Sequence, residues 1–384
     1  MKYRGRFEAQ KPKKSKRKAG KKILAAVMIF LLLLGAAVFF GIRYYNAMFE
    51  KMDIVTLDEN LYETYQDEIV QQETVIETET TEPEEQMQIQ TEVTLPEETT
   101  TPSIKPGDII NILVVGQASR AGEEHHMADT TILVTLNSYD GTVTLSSVQR
   151  DAFVSLPAYK NHTEGRSKFN VAYHLGYTWE GIEGAMAYTN LTMYRNFGVM
   201  VDHNVEISFE SFTRLIDYMG GVEIELTEAE ANYLNEDDLY VLYDVTPGMQ
   251  YLDGMAALSY VRMRKAEGDG DSDLVRSSRQ KKLIAALFEK VRNLNLKELQ
   301  GVADTLLPLI KTTMTPKDVA NVLARMLPHL SDLNIIMGSM PVESTYRGEM
   351  VDIYGDGMLH SVLKFDIEQN KRLIRPITEA DTVS

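Results

Sequence analysis

The sequence predicts an α/β domain with a mixed, partly antiparallel central sheet covered by helices, preceded by one transmembrane helix. Three observations lead there. The segment "ILAAVMIFLLLLGAAVFFGI", residues 23–42, carries no charge over twenty residues. The apolar run "DIINILVVG" is followed by "TTILVTLN" and "GTVTLSSV" around a turn at Gly141, the pattern of neighbouring antiparallel strands. Helical spacings and short strands then intermix to the end of the chain.

As a helix, residues 23–42 span about 30 Å, the thickness of a bilayer core. Residues 1–22 carry eleven Lys/Arg against one acid, Glu8, so this flank is expected to stay in the cytoplasm and everything after residue 43 to lie beyond the membrane. A signal peptide has a shorter apolar region of roughly 7–15 residues and a small-residue cleavage site. Here "RYYNAMFEK" follows instead, with Tyr44 and Tyr45 as interfacial aromatics. The chain therefore divides into a basic stub (1–22), an anchor (23–42), a linker (43–107), a folded domain (108–375) and a tail (376–384). Residues 53–104 hold fifteen Asp/Glu and no Lys or Arg, with prolines at 83, 96 and 102. Such a segment buries too little apolar surface to offset ordering and reads as a solvated linker. As a flexible coil, residues 43–107 span roughly 45 Å.

Within the domain, "AFVSLP" reads as a short strand and "SFESFTRLIDYMGG" as a helix, with apolar residues at 209, 212, 215, 216 and 219 and Gly220 past its end. "VEIEL" alternates and reads as a strand. Thr227 and Glu230 have capping-box spacing ahead of "EAEANYL". "ALSYVRMR" also alternates, which as a strand sets Tyr260, Arg262 and Arg264 on one face. A helix runs through "DLVRSSRQKKLIAALFEKVRN", capped by Ser272 or Asp273, and its spacing puts Arg276, Arg279, Gln280 and Leu283 on one side. Thr315 and Pro316 start another helix, "LNIIMGSMPV" is a late strand, and a short helix with a tail closes the chain.

The net charge of −17 argues against nucleic acid as the main partner, and the absence of cysteine removes disulfides, thiolate metal sites and thiol nucleophiles. Ser147 has no His/Asp pattern around it that would mark a nucleophile, and the adjacent His125 and His126 read as loop residues. The dense arginines of "RMRKAEGDGDSDLVRSSRQ" suit an anion such as a diphosphate, because guanidinium is planar, always charged and bidentate. The same residues could instead pair with Asp269, Asp271 and Asp273 in weak surface bridges. A second cluster, Arg150–Asp151 after one strand and Asp129 before another, favours the anion site.

With these segments in place, the chain resembles the LytR-CpsA-Psr (LCP) family of cell-envelope proteins. The similarity runs from about residue 109 to 290, more loosely to about 375. It rests on "NILVVG", "ADTTILVTLN", "VTLSSVQRDAFVSLP", "KFNVAYHLG", "LIDYMGGVEIEL", "LDGMAALSYVRMR" and "DLVRSSRQ" in that order. The resemblance implies a membrane-anchored phosphotransferase of a Gram-positive-type envelope, single-pass, with its main domain extracytoplasmic. It would move a glycopolymer, such as teichoic acid or capsule, from a polyprenyl-pyrophosphate carrier to peptidoglycan with Mg²⁺. By the same resemblance, Arg150, Arg262, Arg264 and Arg276 fall on pyrophosphate-gripping positions. Lys168 and Gln280 fall on further head-group positions, with Arg279 beside them. Asp129 falls on a magnesium ligand, and Asp151 and Asp273 are motif acids.

The sequence departs from the family pattern at three positions. Ala118 stands for an aspartate, Met127 for an arginine and Gln149 for a proline. Glu123, Glu124 or His126 are the neighbours able to replace a missing ligand. These departures keep open a non-catalytic envelope protein that binds lipid-linked pyrophosphate or wall polymer, beside the transferase. A polyprenyl-pyrophosphate hydrolase and a transcriptional regulator are less favoured. The regulator requires a domain on the DNA side of the membrane. A prenyl tail would need an apolar channel, expected between sheet and helices.

Overall fold

The computed structural model of the chain describes residues 50, 52–57, 108–117, 127–159, 163–236, 244–263, 272–292, 298, 301–302, 304–305, 307–329 and 334–379. The basic stub and the apolar segment 23–42 lie outside them, and no helix among the described residues is long and apolar enough to cross a membrane.

The chain order is β1 (Asp53–Ile54), β2 (Ile109–Gln117), β3 (Ala128–Asn137), β4 (Thr142–Val148), β5 (Phe153–Leu156), β6 (Gly165–Lys168), α1 (Phe169–Phe197), β7 (His203–Ser208), α2 (Phe209–Tyr218), β8 (Val222–Leu226), α3 (Glu228–Glu236), β9 (Gly248–Leu252), α4 (Gly254–Arg262) and α5 (Ser272–Arg292). There follow β10 (Ile310–Thr312), α6 (Pro316–Met326), β11 (Asn334–Met340), β12 (Tyr346–Val351), β13 (His360–Phe365) and α7 (Ile367–Thr378). Seven strands form one mixed sheet in the order β1-β10-β7-β2-β3-β4-β11. As the sequence predicts, β2, β3 and β4 are consecutive antiparallel neighbours, and Gly141 turns between β3 and β4 at φ +74°.

The central strands of the sheet are buried on both faces. Side chains alternate along a strand, so β2 and β3 supply two cores at once. Ile112 joins Val205, Tyr260, Leu283 and Val322 on one face, under α2 to α6. Leu113 and Leu133 join Phe169, Tyr188, Phe197 and Ile374 on the other, under α1 and α7. α1 breaks its helical geometry at Glu180 and Gly181, where φ at Gly181 is +63°. The chain doubles back there so closely that a Cβ on Gly176 would lie 2.2 Å from the Gly184 carbonyl oxygen. The Thr227–Glu230 capping box forms as its spacing predicts, with the Glu230 carboxylate accepting from the Thr227 N–H at 2.9 Å and Thr227 Oγ1 accepting from the Glu230 N–H at 3.2 Å.

Two boundaries differ from the sequence reading. Asp53–Ile54, inside the segment read as a solvated linker, is a strand parallel to β10, and Met52 and Val55 are buried beside it. Two apolar side chains at the edge of a sheet outweigh the polar composition of the acidic run after them. At the other end α7 crosses residue 375, and the carbonyl of buried Thr378 accepts a hydrogen bond from Asn111 Nδ2 at 3.0 Å.

Replacing both Met52 and Val55 by Ala is expected to destabilise the protein by about 3 kcal/mol, seen as a lowered denaturant midpoint at unchanged slope. A midpoint equal to that of the parent would mean that this segment is not docked.

Candidate functional site

Four of the side chains singled out in the sequence, Asp129, Arg150, Asp151 and Lys168, gather near the edge where β2, β4 and β7 end and β3 begins. Gln149–Ala152 follows β4 and is pinned by its neighbours. The Gln149 N–H donates to Met340 O (2.7 Å), the Asn170 N–H to Arg150 O (3.3 Å) and the Leu363 N–H to Asp151 O (2.8 Å). β11, α1 and β13 thus fix the backbone of Arg150 and Asp151. Arg150 Nη1 stands 3.6 Å from Asp129 Oδ1, a loose ion pair with both side chains partly exposed. Arg150 Nε is buried and has no hydrogen-bond partner. Such a donor is costly to leave unpaired and is ready for an anion. Asp151 is engaged, with Lys168 Nζ 2.6 Å from its Oδ1. Lys168 ends β6 and precedes α1, so the antiparallel β5–β6 pairing brings these two residues together.

On the other side of this edge opens an apolar cavity of ≈ 270 Å³ between the sheet and helices α2, α4 and α5. Ile112, Ile132, Val134 and Leu145 line it from the sheet, and Phe212, Leu258, Leu283 and Leu287 from the helices. Its polar rim includes Gln280 and Thr130, joined by a 3.0 Å hydrogen bond from Nε2 to Oγ1. The first residues of β3 therefore carry both parts of the site, Thr130 toward the cavity and Asp129 toward Arg150. This apolar cavity lies between sheet and helices, where the sequence reading expects a channel.

One element was misread. "ALSYVRMR" lies within and just beyond helix α4, not in a strand. Asp253 caps that helix by accepting from the Ala256 N–H at 2.8 Å, and Ala256, Ala257 and Tyr260 are buried at helical spacing. The alternation after Ser259 is too short to outweigh a capped Ala- and Met-rich turn. Tyr260 and Arg262 accordingly do not share a strand face. Tyr260 is buried, and burial followed by the nearby Glu230 carboxylate pushes its phenol well up. Arg262 is exposed at the end of α4, with its guanidinium 4.9 Å from the centre of the Phe209 ring, which itself lines the cavity. Arg264 and the side chain of Asp273 lie outside the described residues.

Helix α5 does put Arg276, Arg279, Gln280 and Leu283 on one inward side, and both arginines are buried. Arg279 is engaged internally, its Nε 2.9 Å from Glu230 Oε1 and its Nη1 3.2 Å from Met263 O. Burial alone would raise the Glu230 carboxyl, but the Thr227 N–H and the Arg279 guanidinium outweigh it and hold the group below the usual carboxylate range. Arg279 thus ties α5 to α3 and α4 and is no free head-group contact. Sequence reasoning found the capping glutamate but not its arginine partner, and it passed over Thr130 and Phe209. The Thr130 and Phe209 positions could have been found from their places at a strand start and a helix start.

Among the described residues, no three His, Asp or Glu side chains come together as a metal site. Ala118, Glu123, Glu124, His125 and His126 lie outside them. The more open carboxylate at the site is Asp129, and one carboxylate with substrate phosphate oxygens is a donor set that Mg²⁺ accepts.

Fold and site together define a two-faced α/β protein with an anion-ready edge above an apolar cavity. A family model described as the LytR_cpsA_psr family matches residues 64–365, and the chain belongs to that family. The polyisoprenyl-teichoic acid–peptidoglycan teichoic acid transferase TagT of Bacillus subtilis is 29% identical over 219 residues, 56% of this chain and 63% of that protein. TagU of Enterococcus faecalis, which carries the same transferase name, is 30% identical over 52% of this chain and 59% of its own length. The chain thus spans somewhat over half the length of these curated relatives. A crystal structure of gbs0355 from Streptococcus agalactiae shares the fold with a TM-score of 0.57 at 19% identity, covering 74% of this chain and 93% of that one.

Two arginine substitutions separate scaffold from site. Arg279→Ala is expected to cost about 3–5 kcal/mol by stranding the buried Glu230 carboxylate. Arg150→Ala should leave the melting temperature within a degree or two. The stabilisation from Glu230, whose carboxyl is held down in the folded state, is present above the ordinary carboxylate range and lost as pH falls through its lowered value. The stability difference between parent and Glu230→Gln should therefore shrink on acidification, measured by denaturant melts from neutral pH downward.

Proposed function

We propose that this chain is a membrane-anchored phosphotransferase that moves a glycopolymer from a polyprenyl-pyrophosphate carrier to peptidoglycan. The observation that carries the reading is the pairing of an apolar cavity with an unsatisfied Arg150 Nε at the same edge of the sheet. A polyprenyl pyrophosphate has matching halves, a tail for the cavity and a dianionic head for Arg150, Arg276, Lys168 and Gln280. The family membership and the transferase names of its relatives support the same substrate class.

The residues suit transfer by positioning and electrostatics. The tail in the cavity fixes the head group against the sheet edge. Arg150 then supplies charge to the diphosphate with little reorganisation, because its backbone is held by three elements. A hydroxyl of a peptidoglycan sugar attacks the phosphorus next to the polymer, and polyprenyl phosphate leaves. Mg²⁺, held by Asp129 together with phosphate oxygens, would neutralise developing charge when bound. Asp151 keeps Lys168 in place beside the head group. The uncharged segment 23–42 and its basic flank support a single-pass anchor with the domain outside the cytoplasm, which leaves nucleic acid out of reach.

In isothermal calorimetry, the full chain in nanodiscs is expected to bind a short-chain polyprenyl pyrophosphate more tightly with Mg²⁺ than without. Arg150→Ala should weaken binding by roughly 10- to 100-fold, the worth of a charged hydrogen bond. Turnover of a glycan-linked polyprenyl pyrophosphate with peptidoglycan fragments then tests transfer. Arginine-dependent binding with no Mg²⁺ effect and no product would make the protein a binder only, and release of phosphorylated glycan not joined to peptidoglycan would make it a hydrolase. Leu287→Trp, which narrows the cavity, should weaken binding more as the prenyl chain lengthens.

A further inference from the structure

The strand directions of the sheet determine which edge meets the membrane. Asp53 pairs with Lys311, Lys311 with Glu206, Glu206 with Val115, Val115 with Thr131, Thr131 with Val148 and Val148 with Met340. These residues form one row across all seven strands. The row lies just inside the edge where β2 and β4 end and β3 begins, the edge of Asp129, Arg150 and the Gln280–Thr130 bond. β1 runs parallel to β10, which runs antiparallel to β7, and β7 runs parallel to β2. β1 therefore enters the sheet from the site edge and heads away from it.

The chain length before β1 is short. Ten residues, 43–52, separate the apolar segment from Asp53. Fully extended they reach about 35 Å. Had residues 43–107 all served as linker, the limit would be about 220 Å. The acidic segment 58–107 instead follows β1 and returns at Asp108. Asp108 lies at the opposite edge, where its carbonyl accepts from the Ser138 N–H in the β3–β4 turn at 2.8 Å. That segment carries fourteen Asp/Glu and a single cation, Lys105. An anionic lipid surface repels it, so its return at the edge away from the site agrees in sign with the tether.

We propose that β1 docks the domain on the bilayer with the site edge facing the lipid, held within about 35 Å by a ten-residue tether, while the chain resumes after the acidic segment at Asp108 on the opposite edge. The partner surface is a phospholipid bilayer, and the consequence is that the cavity rim meets the lipid carrier without the domain having to turn over. The inference rests on the reading of residues 23–42 as a membrane anchor.

The test uses the full chain in liposomes with a lipid-bound acceptor dye. Because the chain has no cysteine, single labels can be placed at Glu343→Cys on the site edge and Tyr139→Cys on the far edge. Glu343 is exposed, with its carboxylate 2.9 Å from Lys281 Nζ beside the site, and Tyr139 is exposed in the β3–β4 turn. Nine residues of β2 at about 3.4 Å each put the two edges about 30 Å apart, a separation that energy transfer resolves. The site-edge label should transfer at least twice as efficiently. About thirty Gly/Ser residues inserted between Glu50 and Lys51, adding roughly 30 Å of reach, should remove the difference. The same insertion after Gln88 should leave it intact. Equal transfer at the two edges, or an insertion after Gln88 that acts as strongly as the one after Glu50, would overturn the proposal. A chain that does not float with the liposomes would instead refute the anchor itself.

Discussion

Two-sided burial of β2 and β3 is the constraint on which the rest of the molecule depends. Each strand sends alternate side chains into different cores, so its register decides which residues line the cavity and which pack under α1. Ile112, Ile132 and Val134 face the cavity, while Leu113 and Leu133 are fully buried on the other side. A slip of one residue would exchange the two sets, and no polar face exists to absorb the error. The same register brings Asp129 and Thr130, adjacent in sequence, to the two halves of the site. Cavity, cores and charged edge are consequences of one alternation.

The arginines show how burial sorts charge. By spacing alone, Arg262, Arg276 and Arg279 are alike. In the structure Arg279 is neutralised by Glu230 deep between helices, and Arg262 lies over the Phe209 ring at the surface. A buried guanidinium has to be met by a carboxylate or carbonyls. The one buried donor left unmet among the described arginines is Nε of Arg150, on a turn whose backbone is fixed from three directions. Arg279 has its partner supplied within the fold, whereas Arg150 keeps one buried donor unmet beside its loose contact with Asp129.

Much of this was legible in the sequence. The β2–β4 strands were readable because their apolar runs and alternation are long enough to outvote other patterns. The α3 capping box and the inward stripe of α5 were readable because they are local. What failed was either short or non-local. Five or six alternating residues after Ser259 imitated a strand although Asp253 and the alanines before them made a helix. α1 went unread because glycines at 176, 181 and 184 and a break at its centre blur its period. β1 was hidden inside an acidic stretch because the two buried side chains that flank it, Met52 and Val55, find their partners only across the sheet. Glu230 revealed its cap, three residues away, but not Arg279, forty-nine residues away.

The pairing of β1 with β10 also sets an order of events. Asp53 leaves the ribosome 258 residues ahead of Lys311, its neighbour in the sheet. At roughly 5–20 residues per second, that is a wait of about 10–50 s. During it β2, β3 and β4 are already complete and adjacent, and their antiparallel meander needs only short loops to close. β1 is thus translated first among the strands and seated late, after about four-fifths of the chain has been made. A nascent domain cut short before residue 310 has no β10 to hold that strand, so the seating of β1 is a record that synthesis has passed β10.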